Sequence, residues 1–162
     1  MPVNDMVYVD SDLIITCMKD LNAKNAKTNA MRKKAREVLK GLHAVHQKLK
    51  ITAFNLIELF KGAYQSADVA LNLHRVEKVI ADFDVVYLDL DSVKEFARTL
   101  TEIESKGIVV PVFDLLIGAI ILSKGDTLYT KNVRHFEKIP RLKLIDWEAE
   151  QLSGNQEIPF NG

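Results

Sequence analysis

Met6-Val7-Tyr8-Val9-Asp10-Ser11-Asp12-Leu13-Ile14 opens on a short β-branched run and breaks at three polar residues. It then continues into Leu13, Ile14, Cys17, Met18 and Leu21, spaced for one helix face. Strand, polar corner and helix follow one another, and the same order recurs downstream. Residues 23–50 carry Met31, Ala35, Val38, Leu39, Leu42, Val45 and Leu49 at mostly i+3/i+4 spacing, which predicts a long helix or two. Thr28 or Asn29 would cap it, and Gly41 is its weak point. Ile51-Thr52-Ala53-Phe54 reads as a buried strand with a helix from Asn55, which Gly62 ends. Residues 67–83 read as helix and Asp84-Val85-Val86-Tyr87-Leu88 as strand. Asp91-Ser92 caps a helix to about Ser105, stopped by Gly107. Residues 113–122, apolar nearly all round, predict a buried central helix. Thr127-Leu128-Tyr129-Thr130 and Lys143-Leu144-Ile145 complete the strands.

Strands alternating with helices predict an α/β domain of three layers, a central, mainly parallel sheet of about five strands flanked by helices, because parallel neighbours need crossovers. The 162 residues suit one domain, placed at 1–147, with 148–162 as a C-terminal tail. Apolar residues at 48% and charged residues at 27% exclude a disordered or collagen-like chain. The longest apolar stretch, 108–122, is broken by Pro111 and Asp114 and falls short of the roughly 18 to 20 residues a membrane span needs. Met1-Pro2-Val3-Asn4-Asp5 lacks secretory character and Cys17 stands alone, so a cytoplasmic protein without membrane attachment is expected. Net charge is zero, yet residues 19–50 hold ten Lys/Arg against Asp20 and Glu37, a net +8 balanced by −8 elsewhere. Lys33, Lys34 and Arg36 lie in that run and are candidates for contacts to RNA or an acidic partner; a solvated helix face is the alternative.

In parallel sheets, sites form beyond the carboxyl ends of the strands where strand order reverses. Asp10 follows the first strand, Glu58 lies about a turn into the helix after the second, Asp114 begins the apolar helix, and Asn132 follows the fourth strand. Singly, Asp10 could cap a corner, Glu58 face solvent and Asp114 cap a helix. Together they suggest one cluster, and a carboxylate among apolar neighbours is costly unless paired or cation-bound. A few hard oxygen donors favour Mg²⁺ or Mn²⁺, which takes phosphate oxygens as further ligands and activates water. The chemistry suggested is phosphodiester hydrolysis.

Four blocks carry a resemblance: Val7-Tyr8-Val9-Asp10-Ser11-Asp12-Leu13-Ile14; Ile51-Thr52-Ala53-Phe54-Asn55-Leu56-Ile57-Glu58-Leu59-Phe60-Lys61-Gly62-Ala63; Asp114-Leu115-Leu116-Ile117-Gly118-Ala119; and Leu128-Tyr129-Thr130-Lys131-Asn132-Val133-Arg134-His135-Phe136. In order and distance they resemble the successive blocks of PIN-domain nucleases, especially VapC-like toxins, through Trp147. The resemblance implies a PIN-like, Rossmann-like fold and Mg²⁺- or Mn²⁺-dependent endoribonuclease activity on RNA. It also implies a homodimer and inhibition by a small antitoxin protein. It makes Asp10, Glu58 and Asp114 the metal-binding acids, and Ser11 and Thr130 the hydroxyls that orient substrate. Asn132 and His135 stand where many members carry acids, which points to a single metal ion with Asn132 as a catalytic hydrogen-bonding group. Two further readings remain: a PIN-like module that binds RNA or protein without cutting, and an RNA-processing nuclease outside a toxin–antitoxin pair. Asp10-Ser11-Asp12 also looks like the acid pair of haloacid dehalogenase-type phosphatases, but Leu13 and the lack of a late Asp pair oppose it. His43 and His46, three apart with no third ligand nearby, read as a solvated face.

Overall fold

In the computed structural model, residues 6–46 and 48–149 are described. Along the chain run β1 (Val7–Val9), α1 (Ser11–Met18), α2 (Ala26–Val45), β2 (Leu49–Thr52), α3 (Ala53–Tyr64), α4 (Val69–Ile80) and β3 (Phe83–Val86). They are followed by α5 (Leu90–Ser105), α6 (Val112–Lys124), β4 (Thr127–Thr130), α7 (Val133–Phe136) and β5 (Lys143–Asp146). All four strand pairings are parallel and the sheet order is β3-β2-β1-β4-β5, so β1 is central. The chain lays β2 and β3 on one side of β1 and then crosses to lay β4 and β5 on the other. Strand order reverses between β1 and β4, where a crevice must open above the sheet.

The two faces of β1 seed two cores by the period-2 alternation of a strand. Val7 and Val9 face Leu13, Ile14, Ala35, Val38, Leu59 and Trp147 beneath α1 to α4. Tyr8 faces Ile103, Leu115, Ile117, Ile120 and Phe136 beneath α5 and α6. The three-layer α/β expectation holds, with five strands and no antiparallel pair among the described residues.

Several boundaries differ from the sequence reading, three of them through side-chain caps. Asn25, not Thr28 or Asn29, caps α2, its side chain accepting from the Lys27 amide. Asn29 instead clasps the peptide of Ala23, accepting from its N–H at 2.9 Å and donating to its carbonyl at 2.8 Å. Residues 49 and 50, read as the end of that helix, belong to β2. α3 begins two residues earlier than expected, at Ala53, because Thr52 and Asn55 form a reciprocal capping box. Gly41 and Gly62 end nothing, each lying within a helix. α5 starts at Leu90 under an Asp89 cap. The first residues of α6 are not buried: Val112 is 65% and Phe113 46% exposed, and burial starts at Asp114. Gly125 closes α6 in the left-handed conformation at φ 71°, a turn that costs glycine nothing. The short helix α7 was not anticipated. Of the expected tail, Glu148 and Ala149 turn back to donate their amides to Asp146 Oδ1, and 150–162 lie outside the described residues.

Candidate functional site

Register places the site's first members side by side. Val9 pairs with Tyr129, so Asp10 and Thr130 leave adjacent strands together, and the Asp10 amide donates to the Tyr129 carbonyl at 3.0 Å. Thr130 Oγ1 donates to Asp10 Oδ2 at 2.6 Å and accepts from the Asn132 amide at 2.9 Å. Asp10 Oδ1 accepts from the Ser11 amide at 2.8 Å and from Asn55 Nδ2 at 2.9 Å. Ser11 Oγ donates to Glu58 Oε2 and lies 3.4 Å from Asp10 Oδ1, so it bridges the two acids.

Despite these donors, the Asp10 carboxyl is pushed up to about 7: burial comes first, then the charge of Asp12, with Glu58 adding to it against the Thr130 and Ser11 hydrogen bonds. The residue is 4% exposed. Among the described residues no Lys, Arg or His side chain donates to the Asp10 carboxylate.

Asp114 reaches the cleft from the first turn of α6, where the positive helix end favours a carboxylate. Its oxygen Oδ2 sits 3.0 Å from His135 Nδ1. Burial raises its pKa, partly offset by the His135 contact. Asn132 precedes α7 and His135 lies three residues on, so both rise on one side of that turn, with Asn132 Nδ2 3.0 Å from His135 Nδ1.

An open cleft of about 780 Å³ joins Asp10, Ser11, Asp12, Glu58, Asp114 and Asn132, with Lys61 and Lys131 also lining it. Asp10, Ser11, Glu58, Asp114 and Asn132 thus line one cleft, and Thr130 joins them through its hydrogen bond to Asp10. Among the described residues no three Asp, Glu, His or Cys groups stand close enough to grip one ion. The acids form two halves, Asp10 with Glu58 through Ser11, and Asp114 with His135 and Asn132. Their chemistry, hard oxygens around a buried carboxylate of raised pKa, fits a small divalent cation.

Two further residues shape the site. Asn55, 1% exposed, accepts from Thr52 Oγ1 at 2.7 Å while donating to Asp10, so the box that starts α3 also holds the first acid. The spacing Thr52-x-x-Asn55 was its signal. Asp12 accepts from the Lys131 amide at 2.8 Å through Oδ2 and from Trp147 Nε1 at 2.9 Å through Oδ1. It pins the Lys131–Asn132 turn that leads into α7 to α1 and to the end of β5, a role its place in Asp10-Ser11-Asp12 did not reveal.

The basic candidates on α2 differ among themselves. Arg36 donates to the carbonyls of Cys17 at 3.1 Å and Lys19 at 2.7 Å, and Lys34 to that of Glu148. Lys33 is exposed and has no hydrogen-bond partner among the described residues. His43 packs edge-on against Phe83. Asp126, not proposed for the site, lies before β4 and accepts from the Met6 amide at 3.1 Å.

No family model matches the chain. The tRNA(fMet)-specific endonuclease VapC of Salmonella typhimurium is 32% identical over 97 residues, 60% of this chain and 74% of the relative. Ribonuclease VapC2 of Rickettsia felis is 26% identical over 107 residues, 66% and 80% of the two chains. Among solved structures, DNA-bound VapBC from Salmonella typhimurium superposes with a TM-score of 0.71 at 25% identity, covering 88% of this chain and 98% of that one. FitAcB from Neisseria gonorrhoeae shares the fold, with a TM-score of 0.74 at 16% identity over 90% and 100% of the chains. A five-stranded parallel sheet with acids converging above β1 and β4, together with relatives matched over most of their length, shows that the chain belongs to the VapC family of PIN-domain ribonucleases.

Proposed function

We propose that this chain is a divalent-metal-dependent endoribonuclease, the toxin of a toxin–antitoxin pair. The observation that carries the reading is the cleft itself, in which Asp10 lies buried on a floor shared with Glu58 and Asp114 and is held by the Ser11 amide, Asn55 and Thr130. Asp10 and Asp114, with Glu58 directly or through water, would hold Mg²⁺ or Mn²⁺, which would supply Lewis-acid chemistry at the scissile phosphate. Ser11 keeps Glu58 turned toward Asp10, and Thr130 aligns Asp10 with the Asn132 loop. Asn132 offers a hydrogen-bonding side chain at the mouth, where the attacking water must be oriented. Lys61 and Lys131 stand over the acidic floor and suit the phosphates on either side of the cut, with the α2 face carrying Lys33 as a wider electrostatic track.

The partner is a small antitoxin protein, as the VapBC complexes among the structural relatives suggest. A homodimer is supported by the apolar surface beside the site: Phe113 rests edge-on against Phe54 with ring centroids 5.9 Å apart, and Ile57 is half exposed one turn along α3. Among the described residues no helix is long and apolar enough to cross a membrane, and a cytoplasmic setting suits an RNA substrate. Cleavage of a single-stranded RNA with Mg²⁺ or Mn²⁺, against EDTA and against Asp10→Asn, tests the reading. Activity should vanish in both controls. Cutting that survives either one, or RNA bound but never cut by the wild type, would reject it.

A further inference from the structure

Beside the acid cleft lies a second cavity that the proposed chemistry does not use. It measures about 400 Å³ and opens between α1, α3 and α4. Leu59, Ala63 and Val76 form its buried floor, and Ile15 and Met18 a half-buried wall. Ile15 and Gly62 line this groove and the acid cleft alike, so one runs into the other. A Cβ at Gly62 would meet nothing within 4 Å, which keeps the passage open.

The rim is positive, with Lys19, Arg32 and Arg75 set against Asp20. Arg32 donates to the Asp20 carbonyl, whereas the Lys19 ammonium and the Arg75 guanidinium have no partner among the described residues. On the α4 side the amide of Asn72 has a fixed orientation. Its Nδ2 donates to the Asp68 carbonyl at 2.9 Å and to Ser66 Oγ at 3.0 Å. The single hydroxyl proton of Ser66 is directed to the carbonyls of Ala63 at 2.6 Å and Asp68 at 3.1 Å, so towards Asn72 the oxygen accepts. Turning the amide over would set its oxygen against the Asp68 carbonyl. Asn72 Oδ1 is therefore an acceptor on the groove wall with no partner among the described residues.

An apolar floor, unpaired cations at the rim and one fixed acceptor suit a nucleobase with its flanking phosphates. A strand cut in the cleft must also continue past the scissile phosphate, and the groove is where the cleft leads. We propose that the groove between α1, α3 and α4 takes the base of a nucleotide beside the cut in single-stranded RNA. Lys19 and Arg75 hold its phosphates, and Asn72 Oδ1 accepts from an exocyclic amino group, which adenine and cytosine carry and uracil lacks. The inference rests on the reading of the cleft as an RNA-cutting site and goes beyond it by naming where a base is read and by which residue.

Fluorescence anisotropy in an Asp10→Asn background with Mn²⁺, where RNA is held without being cut, measures binding of two labelled hexamers. One is of adenosine and the other of purine riboside, which is adenosine without its amino group. The adenosine hexamer should bind about three- to tenfold more tightly, the worth of one hydrogen bond. Asn72→Leu should erase that preference. Gly62→Leu fills the passage, and Lys19→Ala/Arg75→Ala removes the rim charges; each should weaken binding of the adenosine hexamer by about tenfold or more. Gly62→Leu places its side chain in open space, so it keeps the test decisive if Asn72→Leu unfolds. Equal affinity for the two hexamers, or unchanged affinity in Gly62→Leu, would overturn the inference and leave the groove to a protein segment. RNA cleavage by the wild type that Gly62→Leu leaves intact would overturn this inference alone. RNA bound through the groove but never cut by the wild type would reject the ribonuclease reading and leave the base subsite standing.

Discussion

Asp10 concentrates the conflict at the heart of the site. Its ordinary pKa of 3.8 rises to about 7 in the folded chain, chiefly through burial and then through Asp12. The folded state therefore binds this proton more tightly than the unfolded one. That contribution to stability is fully present below about pH 4 and is lost as the pH rises through about 7. Asp114 shifts in the same direction. In chelator, the melting temperature should fall between pH 4.5 and pH 7.5, roughly the window between those two values. Asp10→Asn keeps the shape without the charge, so it should flatten that profile and raise the melting temperature at pH 7.5 by about 5 °C or more, while abolishing RNA cleavage. A wild-type profile that is flat across the window would show that Asp10 is already compensated. Divalent cation added at pH 7.5 should restore the lost stability by binding the folded form only.

At the scale of elements, two glycines inside helices make opposite demands. Gly41 lies within α2 and a Cβ there would meet nothing within 4 Å. Gly41→Ala should stabilise the protein by about 0.5 to 1 kcal/mol, because alanine loses less backbone freedom on forming a helix. Gly118 lies within α6, where a Cβ would press on Ile139 Cδ1 at 2.7 Å. Ile139 is buried and has no solvent to move into. Gly118→Ala should therefore cost about 1 to 3 kcal/mol despite the same helical gain. Urea denaturation of the two variants reads the difference, and equal effects would mean that α6 can shift away from the segment after α7. Periodicity predicted both helices but could not separate the two glycines. What distinguishes them is the neighbour across the interface.

Across the whole molecule, the charge asymmetry of the sequence divides into structure and surface. Arg36 closes the corner between α1 and α2 through the carbonyls of Cys17 and Lys19, whereas Lys33 on the same helix faces solvent. Arg36→Ala should lower the melting temperature. Lys33→Glu should leave it within error and reduce the salt slope of RNA binding by about 1. An unchanged slope would confine recognition to the cleft. Alternating strand and helix signals, with polar residues after the strands, made the layered sheet and the placing of Asp10, Glu58, Asp114 and Asn132 at one end of it legible in the chain, because hydrophobic period and strand-end polarity are local properties. The shifted starts of α2, α3 and α5 were settled by Asn25, the Thr52–Asn55 box and Asp89, where several residues of similar capping power compete. Nothing local says that Asn55 will hold Asp10, that Asp12 will meet Trp147, or that His135 will face Asp114. Those pairings join positions 45, 135 and 21 residues apart in sequence. They exist only because the assembled sheet sets β1 between β2 and β4 with β5 beyond, and because α6 packs beside α7, and those adjacencies belong to the tertiary structure alone.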